Sequence, residues 1–117
     1  MTLVDTSVWI DHLRRSDQEL AVLLEAEQVG MHPFVLGELS LGNLHNREKV
    51  LRNFGFLEMM PIVSESTVGE LVRRHHLWGK GIGWVDCHLM ASALEANAHL
   101  MTRDKALRAS WLLVRKG

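Results

Sequence analysis

Apolar residues in this chain follow two patterns that alternate along its length. Short apolar runs, which are typical of buried strands, occur at residues 2–5, 31–32, 56–63 and 99–102. A further run at residues 111–114 predicts a fifth strand. Between these runs, apolar residues recur every three or four positions, as they do on the buried face of a helix.

The helical segments carry recognisable start and stop signals. Thr6 and Ser7 can cap a first helix, Pro33 suits the first turn of another, and Gly55 can end it. Because strands alternate with helices, we expect an α/β protein in which a central, mostly parallel sheet of about five short strands lies between two helical layers. The predicted helices cover residues 8–13, 17–30, 34–54, 64–78, 84–97 and 104–110.

The size and composition of the chain indicate one globular unit. Its 117 residues have a mass of 13.3 kDa, so residues 1–117 are predicted to form a single domain. Hydrophobic residues make up 47% and charged residues 23%, which excludes collagen-like and disordered classes. No membrane span or signal peptide is evident, and Cys87 has no disulfide partner. We therefore expect a cytoplasmic protein with no membrane association.

Four acidic residues are predicted to meet at one edge of the sheet. Asp5 ends the first strand and Asp104 follows the fourth, while Glu38 and Asp86 lie near the starts of helices that begin at the same edge. Ligands of parallel sheets bind outside the carboxyl ends of the strands. Each acid alone has a simpler explanation, as a helix cap, a first-turn acid or a solvated residue. Together, however, four carboxylates repel one another, which favours a bound cation.

The ligand type indicates which cation. Carboxylate oxygens are hard, anionic donors, so they favour Mg²⁺ or Mn²⁺ over zinc. The seven histidines include no pair spaced by three or four residues, and one cysteine cannot form a CxxC motif. The sequence therefore predicts a magnesium or manganese site.

Four motifs now indicate a family. They are LVDTSVWIDHLR at residues 3–14, GEL at 37–39, GIGWVDCHLMASAL at 81–94 and HLMTRDKAL at 99–107. This ordered set resembles the PIN-domain ribonucleases over essentially the whole chain, and among them it looks most like the VapC-type toxins of bacterial toxin-antitoxin pairs. The resemblance places the acidic quartet of that family, which is both its catalytic and its metal-binding set, on Asp5, Glu38, Asp86 and Asp104.

The resemblance also implies supporting residues and an activity. Thr6 and Ser7 match the small hydroxyl residue after the first acid, and Thr102 stands where a supporting hydroxyl is common. The implied activity is Mg²⁺- or Mn²⁺-dependent hydrolysis of phosphodiester bonds in structured RNA, such as tRNA or rRNA. A cognate antitoxin would block it. We also expect a homodimer, because 117 residues present little surface for gripping a folded RNA.

The charge balance is compatible with RNA binding. The chain has 13 Lys and Arg residues and 14 Asp and Glu residues, for a net charge of -1. Without the four candidate acids, ten acids remain against thirteen bases, so the rest of the molecule carries +3. Basic residues near the acidic edge are candidates for phosphate contacts, although each alone is also explained as a solvated charge. These candidates are Arg14, Arg15, Arg103, Lys105 and Arg108.

Other protein classes agree less well with the sequence. A receiver domain needs an acidic pair after the first strand and an aspartate after the third, but Asp5 is followed by Thr6 and Ser7, and the third strand ends without an aspartate. A DxDx[TV] phosphatase is excluded because residues 5–8 read DTSV. A PIN module that only binds RNA or a partner remains an alternative, and its mark would be a missing acid.

Overall fold

The computed structural model describes residues 1–116, which fold into a parallel sheet flanked by helices on both faces. The strands are β1 (Thr2–Val4), β2 (Val29–Met31), β3 (Glu58–Met59) and β4 (His99–Met101). They lie in the order β3-β2-β1-β4, and every neighbouring pair is parallel. The predicted three-layer α/β/α fold is therefore confirmed. The sheet positions the carboxyl ends of β1 and β4 side by side, since Val4 pairs with Met101.

Seven helices connect and cover these strands within the described residues. Local hydrogen bonds fix several of their starts: the side chains of Asp17, Ser64 and Asp104 each accept a bond from a backbone amide of the first turn. The helices are α1 (Thr6–Arg15), α2 (Gln18–Glu25), α3 (Pro33–Ser40), α4 (Arg47–Phe54), α5 (Glu65–His75), α6 (Trp84–Glu95) and α7 (Lys105–Val114). None of them is long and apolar enough to cross a membrane.

The core lies between β1 and α6. Leu3 and Val4 on β1 have no exposed surface, and every residue of α6 from Cys87 to Ala93 is buried. Because α6 is enclosed on most sides, its position relative to the sheet is strongly constrained by packing. Its first turn is therefore held firmly at the edge where β1 and β4 end.

The predicted fifth strand is wrong. Residues 111–114 form the last turn of α7, where Trp111 and Val114 are buried with Leu107. These three positions are spaced by four and three residues, so they share one helical face. A four-residue apolar run fits either a strand or a buried helix turn, and here packing selected the helix. As a result, β4 is an edge strand.

Several other boundaries differ from the prediction. The helix expected over residues 17–30 ends at Glu25, because Glu27 adopts a left-handed conformation with φ of 56°, and β2 covers Val29–Met31 instead of residues 31–32. The helix expected over residues 34–54 is interrupted at residues 41–46, where Asn46 adopts a left-handed conformation with φ of 53°. The third strand covers only Glu58–Met59 of the predicted residues 56–63. The amides of Phe56 and Leu57 are used in turns after α4, and Pro61 has no amide to donate to a strand.

Candidate active site

The carboxylate of Asp5 lies at the centre of the acidic edge. Asp5 directly follows β1, is 8% exposed, and its backbone amide donates to the carbonyl of Met101 on β4 at 2.9 Å. The hydroxyls of Ser7 and Thr102 both donate to the Oδ2 atom of Asp5, each at 2.8 Å. Two hydrogen bonds from different elements therefore hold this carboxylate in one orientation.

The same two hydroxyls connect Asp5 to the segment after β4. The Oγ of Ser7 accepts the backbone amide of Arg103 at 3.1 Å, and the Oγ1 of Thr102 accepts that of Asp104 at 3.0 Å. Each hydroxyl thus donates to Asp5 and accepts from the β4–α7 connection. This arrangement couples the position of Asp104 to that of Asp5.

Glu38 reaches the site from α3. Its Oε1 atom accepts a 2.8 Å hydrogen bond from the hydroxyl of Thr6, the first residue of α1. Because Glu38 is exposed, this contact is the one that orients its side chain toward the end of β1. The hydroxyl of Thr6 therefore orients the carboxylate of Glu38, just as the hydroxyls of Ser7 and Thr102 orient that of Asp5.

Asp86 stands in the first turn of α6 and is electrostatically strained. Its Oδ2 accepts the backbone amide of Gly83 at 2.9 Å, which by itself lowers the pKa of the carboxyl. Burial nevertheless raises the pKa of Asp86 above its ordinary value, and the negative charges of Asp5, Asp104 and Glu38 raise it further. Asp5, Asp104 and Glu38 therefore lie close enough to Asp86 for their charges to act on it.

The four carboxylates share one pattern of hydrogen bonding. Each uses one oxygen for a bond within the protein, and its second oxygen has no hydrogen-bond partner in residues 1–116: Asp5 Oδ1, Glu38 Oε2, Asp86 Oδ1 and Asp104 Oδ2. The free oxygens of Asp5 and Asp86 are not among the fully buried unpaired atoms, so they reach solvent. Hard oxygen donors of this kind fit Mg²⁺ or Mn²⁺.

Two of the acids also have the local helix-capping roles that were considered for each acid alone. Asp104 is the N-cap of α7, with its Oδ1 accepting the amide of Leu107 at 2.9 Å, and Asp86 makes the first-turn bond to Gly83. Asp5 precedes α1 but makes no side-chain cap bond. No group of three or more His, Cys, Asp or Glu side chains in the described part of the chain is arranged to hold a metal ion directly. Mg²⁺ does not require one, since one or two carboxylates with water and substrate phosphate suffice.

Comparison with known proteins identifies the family. The family model described as "PIN domain" matches residues 2–110. The chain belongs to the PIN domain family. Ribonuclease VapC32 of Mycobacterium tuberculosis is 48% identical over 111 residues, covering 94% of this chain and 90% of that protein. Ribonuclease VapC19 of the same organism is 29% identical over 111 residues, with 89% of each chain covered.

Solved structures agree with the fold of this PIN domain. The structure described as "FitAB bound to IR36 DNA fragment" has a TM-score of 0.68 and 18% identity, covering 98% of this chain and 91% of that one. FitAcB from Neisseria gonorrhoeae has a TM-score of 0.67 and 19% identity, covering 97% and 94% of the two chains. These two structures support the fold, and the family model over residues 2–110 confirms the predicted resemblance to PIN-domain proteins.

The candidate RNA-contacting residues of this PIN domain are not equally available. Arg103 forms ion pairs with Asp17, which caps α2, and with Glu19 on α2, and Arg108 donates to the carbonyl of Thr102 at 2.9 Å. These two arginines therefore brace the β4–α7 connection. The remaining three are exposed and make no ion pair within residues 1–116: Arg14, Arg15 and Lys105.

The sequence analysis did not predict an exposed surface formed by His76, Trp78 and the loop that follows them. The rings of His76 and Trp78 stack with centroids 3.5 Å apart, and Trp78 is 57% exposed. The loop that follows reaches the site, because a Cβ at Gly81 would lie 3.7 Å from Ala106 in the first turn of α7. The sequence did carry a signal for a positively charged surface here, because residues 71–85 contain no acid and include Arg74 and Lys80.

Proposed function

We propose that this PIN domain is a VapC-type ribonuclease that hydrolyses phosphodiester bonds in structured RNA with Mg²⁺ or Mn²⁺. The observation that carries the proposal is the set of four converging carboxylates, each with one oxygen used within the protein and one left free. The 48% identity to a protein named Ribonuclease VapC32 supports the same activity.

Asp5 and Asp86 are the proposed central metal ligands, with Glu38 and Asp104 beside them. When bound, the ion would activate water as the nucleophile and neutralise charge on the phosphate. Ser7 and Thr102 keep Asp5 in position, and Thr6 keeps Glu38 in position. Burial and the neighbouring carboxylates raise the pKa of Asp86, and a cation held by these residues would offset that repulsion and stabilise the ionised carboxylate.

The RNA backbone is proposed to lie across the basic residues around this site. Lys105 is exposed in the first turn of α7, directly after Asp104, and Lys80 lies in the loop packed beside α7. Arg14 and Arg15 are exposed in the last turn of α1, about 13 Å along that helix from its start at the acidic edge, so they would contact RNA away from the carboxylates. The exposed face of Trp78 offers a stacking surface for an unpaired base. These contacts position the RNA, while the carboxylates carry out the chemistry.

An antitoxin and a second copy of the chain are the proposed partners. A cationic side chain of an antitoxin, inserted among the carboxylates, would pair with the same free oxygens as a metal ion. Such an inhibitor would compete directly with Mg²⁺. We further propose that the chain forms a single cytoplasmic domain that acts as a homodimer and arrests growth when it is expressed alone.

A cleavage assay tests this function. Purified protein should cut a structured RNA with Mg²⁺ or Mn²⁺, stop when EDTA is added, and leave 5′-phosphate ends, because water attacks the phosphate. Asp86→Asn should abolish cutting, whereas Asp11→Asn, which changes an exposed acid on α1 outside the site, should not. Undiminished cutting in EDTA, or products with 2′,3′-cyclic phosphate, would refute the mechanism.

A further inference from the structure

His32 is a fully buried histidine outside the acidic site, and both of its ring nitrogens have partners. It lies between β2 and α3 with no exposed surface. Its Nδ1 accepts the backbone amide of Phe34 at 2.9 Å, so it caps α3. Its Nε2 lies 3.0 Å from the hydroxyl of Ser92 on α6.

These contacts determine the tautomer of the ring. Because Nδ1 accepts an amide hydrogen, the proton of the neutral imidazole must be on Nε2, which therefore donates to the hydroxyl of Ser92. That hydroxyl in turn donates to the carbonyl of Pro61 at 2.6 Å. The result is one directed chain from the start of α3, through α6, to the segment after β3.

The two ends of this chain belong to the helices that carry two of the acids. His32 precedes α3, which contains Glu38, and Ser92 lies on α6, which contains Asp86. α3 has only eight residues, so an anchor at its first turn affects the whole helix. Buried polar pairs hold a specific geometry that apolar packing alone leaves less defined, because an unpaired partner is costly.

We propose that His32 is a positioning residue: its bond to Ser92 ties α3 to α6 and thereby sets the placement of Glu38 relative to Asp86. The tie is a property of the neutral ring. Its catalytic meaning rests on the proposed ribonuclease function, but its existence can be measured independently of cleavage.

The surroundings of His32 keep the ring neutral. Burial, and to a smaller extent the charge of the nearby His88 on α6, lower the pKa of His32 from 6.5 to about 4. The ring of Phe34 packs edge-on against both histidines, with centroid distances of 5.0 Å to His32 and 4.9 Å to His88. The tie therefore persists over the pH range in which a ribonuclease would be assayed.

Two substitutions break the tie from opposite ends. His32→Asn keeps a side-chain oxygen that can cap α3 but is too short to replace the imidazole at Ser92. Ser92→Ala keeps the imidazole and removes its partner. Ser110→Ala is the matched control, since Ser110 is a buried serine on α7 that takes no part in the chain of bonds.

The assays are the RNA-cleavage rate and the affinity for Mn²⁺, measured by calorimetry well below each melting temperature. We expect His32→Asn and Ser92→Ala each to lower kcat and Mn²⁺ affinity by about 10- to 100-fold, the usual effect of losing residues that orient metal ligands. The double variant should lose no more kcat or Mn²⁺ affinity than the more impaired of the two single variants, because both changes remove the same tie. Ser110→Ala should change neither quantity.

A spectroscopic measurement separates the tie from the proposed function. In the wild type, the Nε2 proton of His32 should give a slowly exchanging imidazole signal in a ¹H–¹⁵N spectrum at neutral pH, and Ser92→Ala should lose that signal. If the wild type shows this signal but cleaves no RNA, the ribonuclease proposal fails and the tie stands. If both variants keep wild-type kcat and Mn²⁺ affinity, or the signal is absent in the wild type, the positioning role is refuted.

Discussion

The buried His32 predicts a loss of stability in mild acid. The pKa of His32 is lowered from 6.5 to about 4 in the folded protein, chiefly by burial. Between these two values the unfolded chain binds a proton that the folded chain does not, so stability falls as the pH decreases from 6.5 towards 4. The difference of 2.5 pKa units corresponds to about 3 kcal/mol at 1.36 kcal/mol per unit.

Urea unfolding measured at several pH values tests this prediction. The free energy of unfolding of the wild type should fall by about 3 kcal/mol more than that of His32→Asn between pH 7 and pH 4. In thermal melts the same difference is on the order of 10 °C for a domain of this size. His32→Asn can lower the stability at pH 7 through lost packing, so the comparison is between slopes and not between absolute values.

Two further variants complete the experiment. Asp86 acts in the opposite direction, because its raised pKa makes the folded protein more stable as the pH falls towards its ordinary value of 3.8. Asp86→Asn removes this opposing contribution and should steepen the observed acid loss. His99→Asn replaces an exposed histidine on β4 and serves as the control. If His32→Asn and the wild type lose stability in parallel below pH 6.5, the reasoning from burial is wrong.

Three other predictions concern the acids and the RNA-binding surface. Asp86→Asn should raise the melting temperature in EDTA at pH 7, because it keeps an acceptor for the amide of Gly83 and removes a repelled charge; a lower melting temperature than the wild type would contradict this. Asp104→Ala should cost ~1 kcal/mol in urea unfolding by removing the cap of α7, whereas Asp104→Asn should cost little. Lys80→Ala should weaken RNA binding and reduce its salt dependence by about one phosphate contact, and Trp78→Ala should weaken binding to unpaired RNA without changing that salt dependence; equal effects on salt dependence would count against these roles.

Most of what the sequence predicted correctly is local. The alternation of apolar runs with helical periodicity predicted the three-layer fold, and Asp104, for which a helix cap was one explanation, is the N-cap of α7. The predicted caps Thr6 and Ser7 are instead the first two residues of α1, and their hydroxyls bond to Glu38 and Asp5. Such signals are readable because strand and helix periods, and the bonds that cap a first turn, depend on residues only a few positions apart. The order of strand ends then predicted which acids would share an edge.

Tertiary structure decided whatever depended on partners distant in sequence. Packing against the core turned residues 111–114 into the end of a helix, which left β4 at an edge. Arg103 was predicted as an RNA contact, but its ion pairs with α2 are formed across 84 and 86 residues of chain. No local pattern specifies such a pairing, because an arginine has the same sequence signature whether its partner is a phosphate or a carboxylate.

The supporting bonds of the site show the same division most clearly. Asp5 could be singled out from its place after a strand, but its bond from Thr102 spans 97 residues, and the bond between His32 and Ser92 spans 60. In the sequence, His32 before Pro33 indicates only an ordinary helix start, and Ser92 within an apolar helix indicates only a small packing residue. The amino-acid sequence by itself determined most of the helices and strands and which acids follow them, since those depend on short-range sterics and periodicity. Only the folded chain determined which hydroxyls and imidazoles hold the acids, since hydrogen-bond partners are selected by the burial and packing of elements far apart in sequence.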